Sequence, residues 1–171
     1  ANFLGGEEDK SMVIKLMENL MDKHMNDVDA LYAYAHVSSR MDDIKRAESL
    51  FEKILELKPE NEAATMAYIA LLQRKGDINK ALNWLESTLK ILKDNFNLRM
   101  AYARLLTDTK RFDEARNQFE FLYNQTPDNT DLLYALGLLS LQENQLTKSE
   151  KYFKRLIELK KHIFDANYYL G

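Results

Sequence analysis

Apolar residues along this chain recur at three- and four-residue intervals between short polar breaks, a pattern that predicts helices and not strands. Leu98, Tyr102, Leu105 and Leu106 form one stripe; after the polar break TDTKR, Phe112, Ala115, Phe119, Leu122 and Tyr123 form the next. Two such stripes predict a pair of helices joined by a tight turn. Pro59 in LKPEN and Pro127 in QTPDN disfavour helix at the residue before them, and Asn61 and Asn129 can cap the helix that follows. Gly76 in RKGD suits a helix C-terminal turn with positive φ. Residues 11–25 spread Met12, Val13, Ile14, Leu16, Met17, Leu20, Met21 and Met25 over more than half of a helical wheel, so this helix lacks a single polar face.

The helix pairs repeat. VDALYAYA at 28–35, TDLLYALG at 130–137 and FDANYYLG at 164–171 are versions of one helical start, and steps of thirty-four residues place unit starts at Val28, Glu62, Phe96, Thr130 and Phe164. In this register Ala47, Ala81, Ala115 and Ser149 share a column, as do Phe51, Leu85, Phe119 and Phe153. Tyr34, Tyr68, Tyr102, Leu136 and Leu170 form a third, followed directly by Ala35, Ile69, Ala103, Gly137 and Gly171, while Ile44, Ile78, Phe112 and Leu146 make another. No insertion or deletion is needed. The small columns have a packing reason: where two antiparallel helices cross closely, one side must present Ala or Gly so that a neighbour's aromatic can sit down. Ala35, Ala103 and Gly137 are expected to face Ala47, Ala115 and Ser149.

The expected organisation is a loose lead-in at 1–10, then a helix at 11–27 that is either a cap or the trailing helix of a truncated repeat, with Val13, Met17 and Leu20 in trailing-helix register. Repeats follow at 28–61, 62–95, 96–129 and 130–163, and 164–171 reads as the start of an incomplete fifth. The exposed apolar ends imply an excerpt of a longer array, since a repeat cannot bury its apolar face alone.

Composition narrows the function. With 171 residues, 46% hydrophobic and 30% charged, the chain can build a core, and five Gly and two Pro are too few for the turns of a strand protein of this size. A net charge of −3 with mixed signs gives no broad basic field, so nucleic acid is not expected as a ligand. Zero Cys excludes disulfides and thiolate chemistry. No run approaches the roughly 18 apolar residues of a membrane helix. His24, His36 and His162 fall in different units without metal-binding spacing, no Gly-rich phosphate loop or GxSxG occurs, and Asp42–Asp43 sits in a turn. No catalytic residue, metal or cofactor is expected.

Residues 28–171 resemble tetratricopeptide repeats, whose roughly 34-residue helix-turn-helix carries an aromatic or Leu, then Gly or Ala, then a later Ala, Phe and Pro. ALGLLSLQENQLTKSEKYF at 135–153 and AYARLLTDTKRFDEARNQFEFLYNQTP at 101–127 carry the resemblance best. The family's early Trp is absent, Ile69 replaces a small residue, and Lys93 and Lys161 replace Pro. The resemblance implies an all-α, right-handed α-solenoid and a non-enzymatic adaptor that binds a peptide or partner helix in a concave groove lined by leading helices.

Carrying over the family's second, fifth, ninth and twelfth places selects Asp29, Tyr32, His36 and Ser39; Met66, Ala70 and Gln73; Asn97, Met100, Arg104 and Thr107; Asp131, Tyr134, Leu138 and Leu141; and Asp165 and Tyr168. The fifth places alone read Tyr32, Met66, Met100, Tyr134 and Tyr168, residue types that adapt to partners. Arg40, Arg74 and Arg104 would supply positive charge to acidic partner groups. No unit pairs Lys with Asn as relatives that clamp a C-terminal carboxylate do. Trp84 is expected to pack between hairpins, with a convex contact as the alternative. The Leu-rich and Lys-rich usage resembles bacterial examples, whose relatives include envelope lipoprotein adaptors and assembly factors; the compartment is left open between the cytoplasm and, if a signal sequence lies upstream, the periplasm or envelope. The alternatives are self-assembly into a homo-oligomer through exposed ends, and a targeting domain of a larger enzyme.

Overall fold

The computed structural model describes residues 7–21 and 26–159, with side chains from 11–19 and 26–159. The expectations for residues 1–6, His24, Met25, His162, Asp165, Tyr168 and the fifth start at 164–171 lie outside the described residues, as do the side chains of Leu20 and Met21. Every regular element among the described residues is helical: α1 Glu7–Met21, α2 Val28–Arg40, α3 Ile44–Leu57, α4 Glu62–Lys75, α5 Ile78–Ile91, α6 Phe96–Asp108, α7 Phe112–Gln125, α8 Thr130–Gln142 and α9 Leu146–Glu158. α1 begins at Glu7, inside the stretch expected to be a loose lead-in. Its opening EED is a composition that the helix dipole favours at an N-terminus.

Local chemistry repeats with the fold. Asp27, Asn61, Asn95 and Asn129 each place a side-chain oxygen on the backbone N–H groups that open α2, α4, α6 and α8, at 2.9–3.2 Å. Each such cap satisfies N–H donors that the helix itself cannot. Between the helices of each pair, one residue takes a left-handed backbone: Asp42 (φ 64°), Gly76 (φ 82°), Lys110 (φ 62°) and Asn144 (φ 58°). That single reversal turns the chain back within three residues, and it comes cheaply only to Gly and, less so, to Asn or Asp.

The chain forms two compact units, residues 1–84 and 85–171, divided within α5. In the first, α2 and α3 form a hairpin, α4 packs on α3, and α1 lies against α2. Glu18 of α1 also reaches Arg46 of α3 at 2.8 Å. Leu31, Phe51, Ile54, Tyr68 and Leu72 are buried there, with the Phe51 and Tyr68 rings stacked at 6.1 Å. In the second unit, α6 pairs with α7 and α8 with α9, α7 packs on α8, and the leading helices α6 and α8 touch. Phe119, Leu122, Leu133, Phe153 and Leu156 are buried.

The small columns are buried as well: Ala47, Ala81 and Ala115 are inaccessible and Ser149 nearly so. Ser149 Oγ donates to the Gly137 carbonyl at 3.0 Å, so these two positions do face each other across their hairpin. No helix among the described residues is long and apolar enough to cross a membrane.

Candidate functional site

Within the second unit, α6, α7 and α8 enclose an open cleft of about 370 Å³ lined by Arg104, Thr107, Asp108, Phe119, Tyr134, Ala135, Leu138 and Gln142. Its floor is apolar. Tyr134 and Leu138 stand half-buried over the buried cluster of Leu133, Phe153 and Leu156, and the Tyr134 ring meets Phe153 edge to face at 6.1 Å. The α6 rim carries exposed Arg104 and Asp108 one turn apart, with Thr107 between them donating its hydroxyl proton to the Ala103 carbonyl at 2.9 Å. The α8 rim carries exposed Gln142.

The structure thus brings together four residues that the sequence selects: Arg104, Thr107, Tyr134 and Leu138. Asp108 and Gln142 escape that selection, although a signal for them exists. Both occupy the thirteenth place of their units, the place that also holds Arg40 and Arg74.

In the first unit, Tyr32, His36 and Phe51 form an edge-to-face triangle, with centroids 4.5 Å apart for Tyr32 and His36, 5.8 Å for His36 and Phe51, and 6.2 Å for Tyr32 and Phe51. Part of Tyr32 and His36 is therefore committed to packing on α3. Met66 on α4 is 36% exposed, and Ala70 and Gln73 follow it on an open helix face. Asp29, Asn97 and Asp131 are exposed at the starts of α2, α6 and α8, where a carboxylate complements the helix dipole at Asp29 and Asp131.

Two of the selected residues are engaged within the chain. Met100 is only 5% exposed, so it fills the interior and is not open to a partner. Its flexible thioether suits it to irregular core space, which is why its residue type alone does not reveal its side. Arg74 is exposed, but its guanidinium donates to the Ser39 carbonyl at 2.9 Å and to Ser39 Oγ at 3.3 Å, holding the C-terminal turn of α2. A helix end leaves carbonyls in need of donors, and Arg74 supplies one.

The remaining arginines sort in the same way. Arg46, Arg99, Arg111, Arg116 and Arg155 each hold a carboxylate, amide or carbonyl oxygen. Arg40 and Arg104 have no ion pair among the described residues.

A larger open cleft, about 450 Å³, lies between α7 and α9, lined by Tyr123, Tyr152, Lys151 and Arg155 among others. Its charges are mostly engaged: Lys154 holds Glu150 at 2.5 Å, and Arg155 holds Asp128 at 2.8 Å and Glu158 at 2.9 Å. The Tyr123 and Tyr152 rings pack on each other at 5.7 Å. Groups already paired are poor recruits for a ligand, so the α6–α8 cleft is the better candidate despite its smaller volume.

The strongest electrostatics in the first unit are structural. Lys80 Nζ reaches Glu48 at 2.6 Å and Glu52 at 2.7 Å, Lys75 reaches Glu48 at 2.7 Å, and the buried Tyr68 hydroxyl donates to Glu52 at 2.7 Å. Burial works against the charge on Glu48 and Glu52, but the ammonium hydrogen bonds outweigh it and hold both carboxyls below their usual range. The same carboxylates push Lys80 up. Trp84 is half-buried and meets Tyr68 edge to face at 5.5 Å, which gives it a packing role in the hairpin. Among the described residues no group of three or more His, Asp or Glu converges to hold a metal.

A family model described as "anaphase-promoting complex, cyclosome, subunit 3" matches residues 40–122, and one described as "tetratricopeptide repeat" matches residues 100–169. No curated protein sequence matches the chain. Among solved structures, the chain is similar to YrrB, described as a TPR protein with an unusual peptide-binding site, at 19% identity and a TM-score of 0.72 over 94% of this chain and 83% of that one. MamA is similar at 14% identity and a TM-score of 0.73 over 90% of each chain. A tetratricopeptide repeat protein from Parabacteroides merdae is similar at 22% identity and a TM-score of 0.69, over 77% of this chain and 53% of that one. At these identities the neighbours establish the fold alone, an all-α helical-repeat solenoid class. Together with the gapless register of the sequence, the two family models support a tetratricopeptide-repeat protein, and members of that family serve in general as non-enzymatic scaffolds for protein–protein interaction.

Proposed function

We propose that this chain is an adaptor that holds a polypeptide segment of its partner on the leading-helix face of its repeats, with the α6–α8 cleft as the principal seat. One observation carries the reading. The family's inward-facing places, carried over onto this chain's repeat register, select Arg104, Thr107, Tyr134 and Leu138 from two different repeats, and these four residues line one cleft. That cleft combines a half-buried Tyr and Leu, which offer apolar area, with an exposed Arg, a combination that partner-binding surfaces favour. In the first unit Tyr32, His36 and Met66 offer residues of the same kind on leading helices. YrrB, a protein of this fold with a peptide-binding site, agrees with the reading.

The test is a pulldown comparing the wild type, a cleft variant Tyr134→Ala/Leu138→Ser and an outer-face control Lys151→Ala/Lys154→Ala, all shown to be helical by circular dichroism. A protein retained by the wild type and the control but released by the cleft variant supports the proposal. Equal retention by all three overturns it.

A second reading has its own observation. Met12 and Leu16, one turn apart on α1, are 74% and 58% exposed, a small apolar face suited to end-to-end association. Sedimentation mass that rises with concentration, and no longer does so in Met12→Gln/Leu16→Gln, supports that reading; a constant monomer mass removes it.

A further inference from the structure

The chemistry of the α6–α8 cleft also specifies the order of residues in its occupant, an inference that rests on the reading just given. Arg104 and Asp108 are both exposed on the α6 rim and have no ion pair among the described residues, with each other or with any neighbour. Four residues apart on one helix, they are separated by an axial rise of about 6 Å. In an extended chain, side chains two residues apart point to the same side and lie about 7 Å apart. The side chain between them points the opposite way, which in this cleft is toward Tyr134 and Leu138 on α8.

We propose that the cleft recognises an extended partner segment in which an aliphatic residue is flanked by one acidic and one basic residue. The acidic group pairs with Arg104, the basic group with Asp108, and the aliphatic side chain lies on Tyr134 and Leu138. The cleft's polar rim favours an extended occupant over a helical one. Thr107 Oγ donates to Ala103 and keeps its lone pairs for a backbone N–H, and the Gln142 amide is exposed with no hydrogen bond among the described residues. An extended segment offers free backbone N–H and C=O groups to both; a helix has already paired its own. The volume of about 370 Å³ likewise holds a few extended residues. A segment with two like charges would place one of them against its own sign, which works against binding.

The test uses four synthetic peptides, GSSELKSSG, GSSKLKSSG, GSSELESSG and GSSESKSSG, with GSSKLESSG to read chain direction, each titrated into the whole chain and followed by amide NMR shifts. The expected result is that ELK or KLE binds at least about tenfold more tightly than KLK, ELE or ESK. Arg104→Glu should transfer the preference to KLK, and Asp108→Lys should transfer it to ELE; because each variant gains a ligand, loss of folding cannot imitate the outcome. The inference is overturned if mixed and like-charged peptides bind equally, if no peptide shifts the cleft amides, or if the charge-reversed variants keep the wild-type preference. If Tyr134→Ala/Leu138→Ser weakens every peptide alike while both charge variants change nothing, the charge order falls and the binding cleft stands. Peptides that bind but are indifferent to all of these variants overturn both.

Discussion

A Cβ added to Gly137 would lie 2.7 Å from two ring carbons of Phe153, closer than real Cβ atoms approach. The glycine is required here by its neighbour, since α8 and α9 cross where the ring must fit and Ser149 Oγ already bonds the Gly137 carbonyl. Phe153 is fully buried and supports Tyr134 and Leu138, so the close crossing also positions the floor of the cleft. Gly137→Ala is therefore expected to destabilise the chain by about 1–3 kcal/mol, through overpacking that exceeds the gain in helix propensity. Chemical denaturation measures it; a stability equal to or above wild type would show that the ring can move aside.

Among the described residues, Lys110 is the one position where a long side chain takes the left-handed backbone that its counterparts give to Asp, Gly and Asn. Lys110→Gly should stabilise the chain by about 0.5–1 kcal/mol by relieving that strain, net of the greater freedom of glycine in the unfolded state. Gly76→Ala should cost about 1 kcal/mol, although nothing lies within 4 Å of the added methyl, because its φ of 82° disfavours any side chain. A pair of denaturation midpoints moving in opposite directions is the expected signature.

The carboxyls of Glu48 and Glu52 are held below their ordinary range by Lys75 and Lys80, against the opposing effect of burial. A depressed carboxyl contributes stability that is present above its unfolded-state pKa, about 4.3, and is lost as pH falls through its folded-state value. Lys80 is raised, so its contribution is in place below about pH 10.4 and lost as pH rises through its folded-state value. Stability should therefore hold between these limits and drop on acidification below about pH 4. Glu48→Gln should cost about 1–2 kcal/mol at pH 7 and flatten the acid limb of the melting temperature against pH. An unchanged acid limb would show that the network contributes nothing measurable.

Met100 and Met66 occupy the same repeat place, yet one is 5% exposed and the other 36%. Met100→Ala should cost about 2–4 kcal/mol by opening a cavity, while Met66→Ala should stay within about 0.5 kcal/mol of wild type. Equal destabilisation by the two would contradict the burial difference.

These contrasts show what can be read from the chain. The helical pairs, their spacing and the small-against-large columns are legible because each depends on local periodicity and on residues that recur at fixed separation, such as Ala47, Ala81 and Ala115 opposite the aromatic columns. Caps and turns are partly legible: Asn61 and Asn129 stand out because Pro59 and Pro127 mark the breaks before them, and Gly76 by type, whereas Asp27 and Asn95 have no such Pro and Lys110 is no turn former, so their roles are seen with the backbone.

By itself the sequence determined the helices and their repeating register, because hydrophobic periodicity and turn chemistry act over a few residues and then repeat. Only the tertiary structure decided which of the selected positions are open. Met100 turned inward, Arg74 closed on Ser39, and Arg104 was left exposed beside Asp108 on the α6 rim of the cleft without an ion pair among the described residues. The physical reason is that repeat register assigns a residue to a helix face, but its availability depends on side chains from other helices that fill, cap or neutralise it.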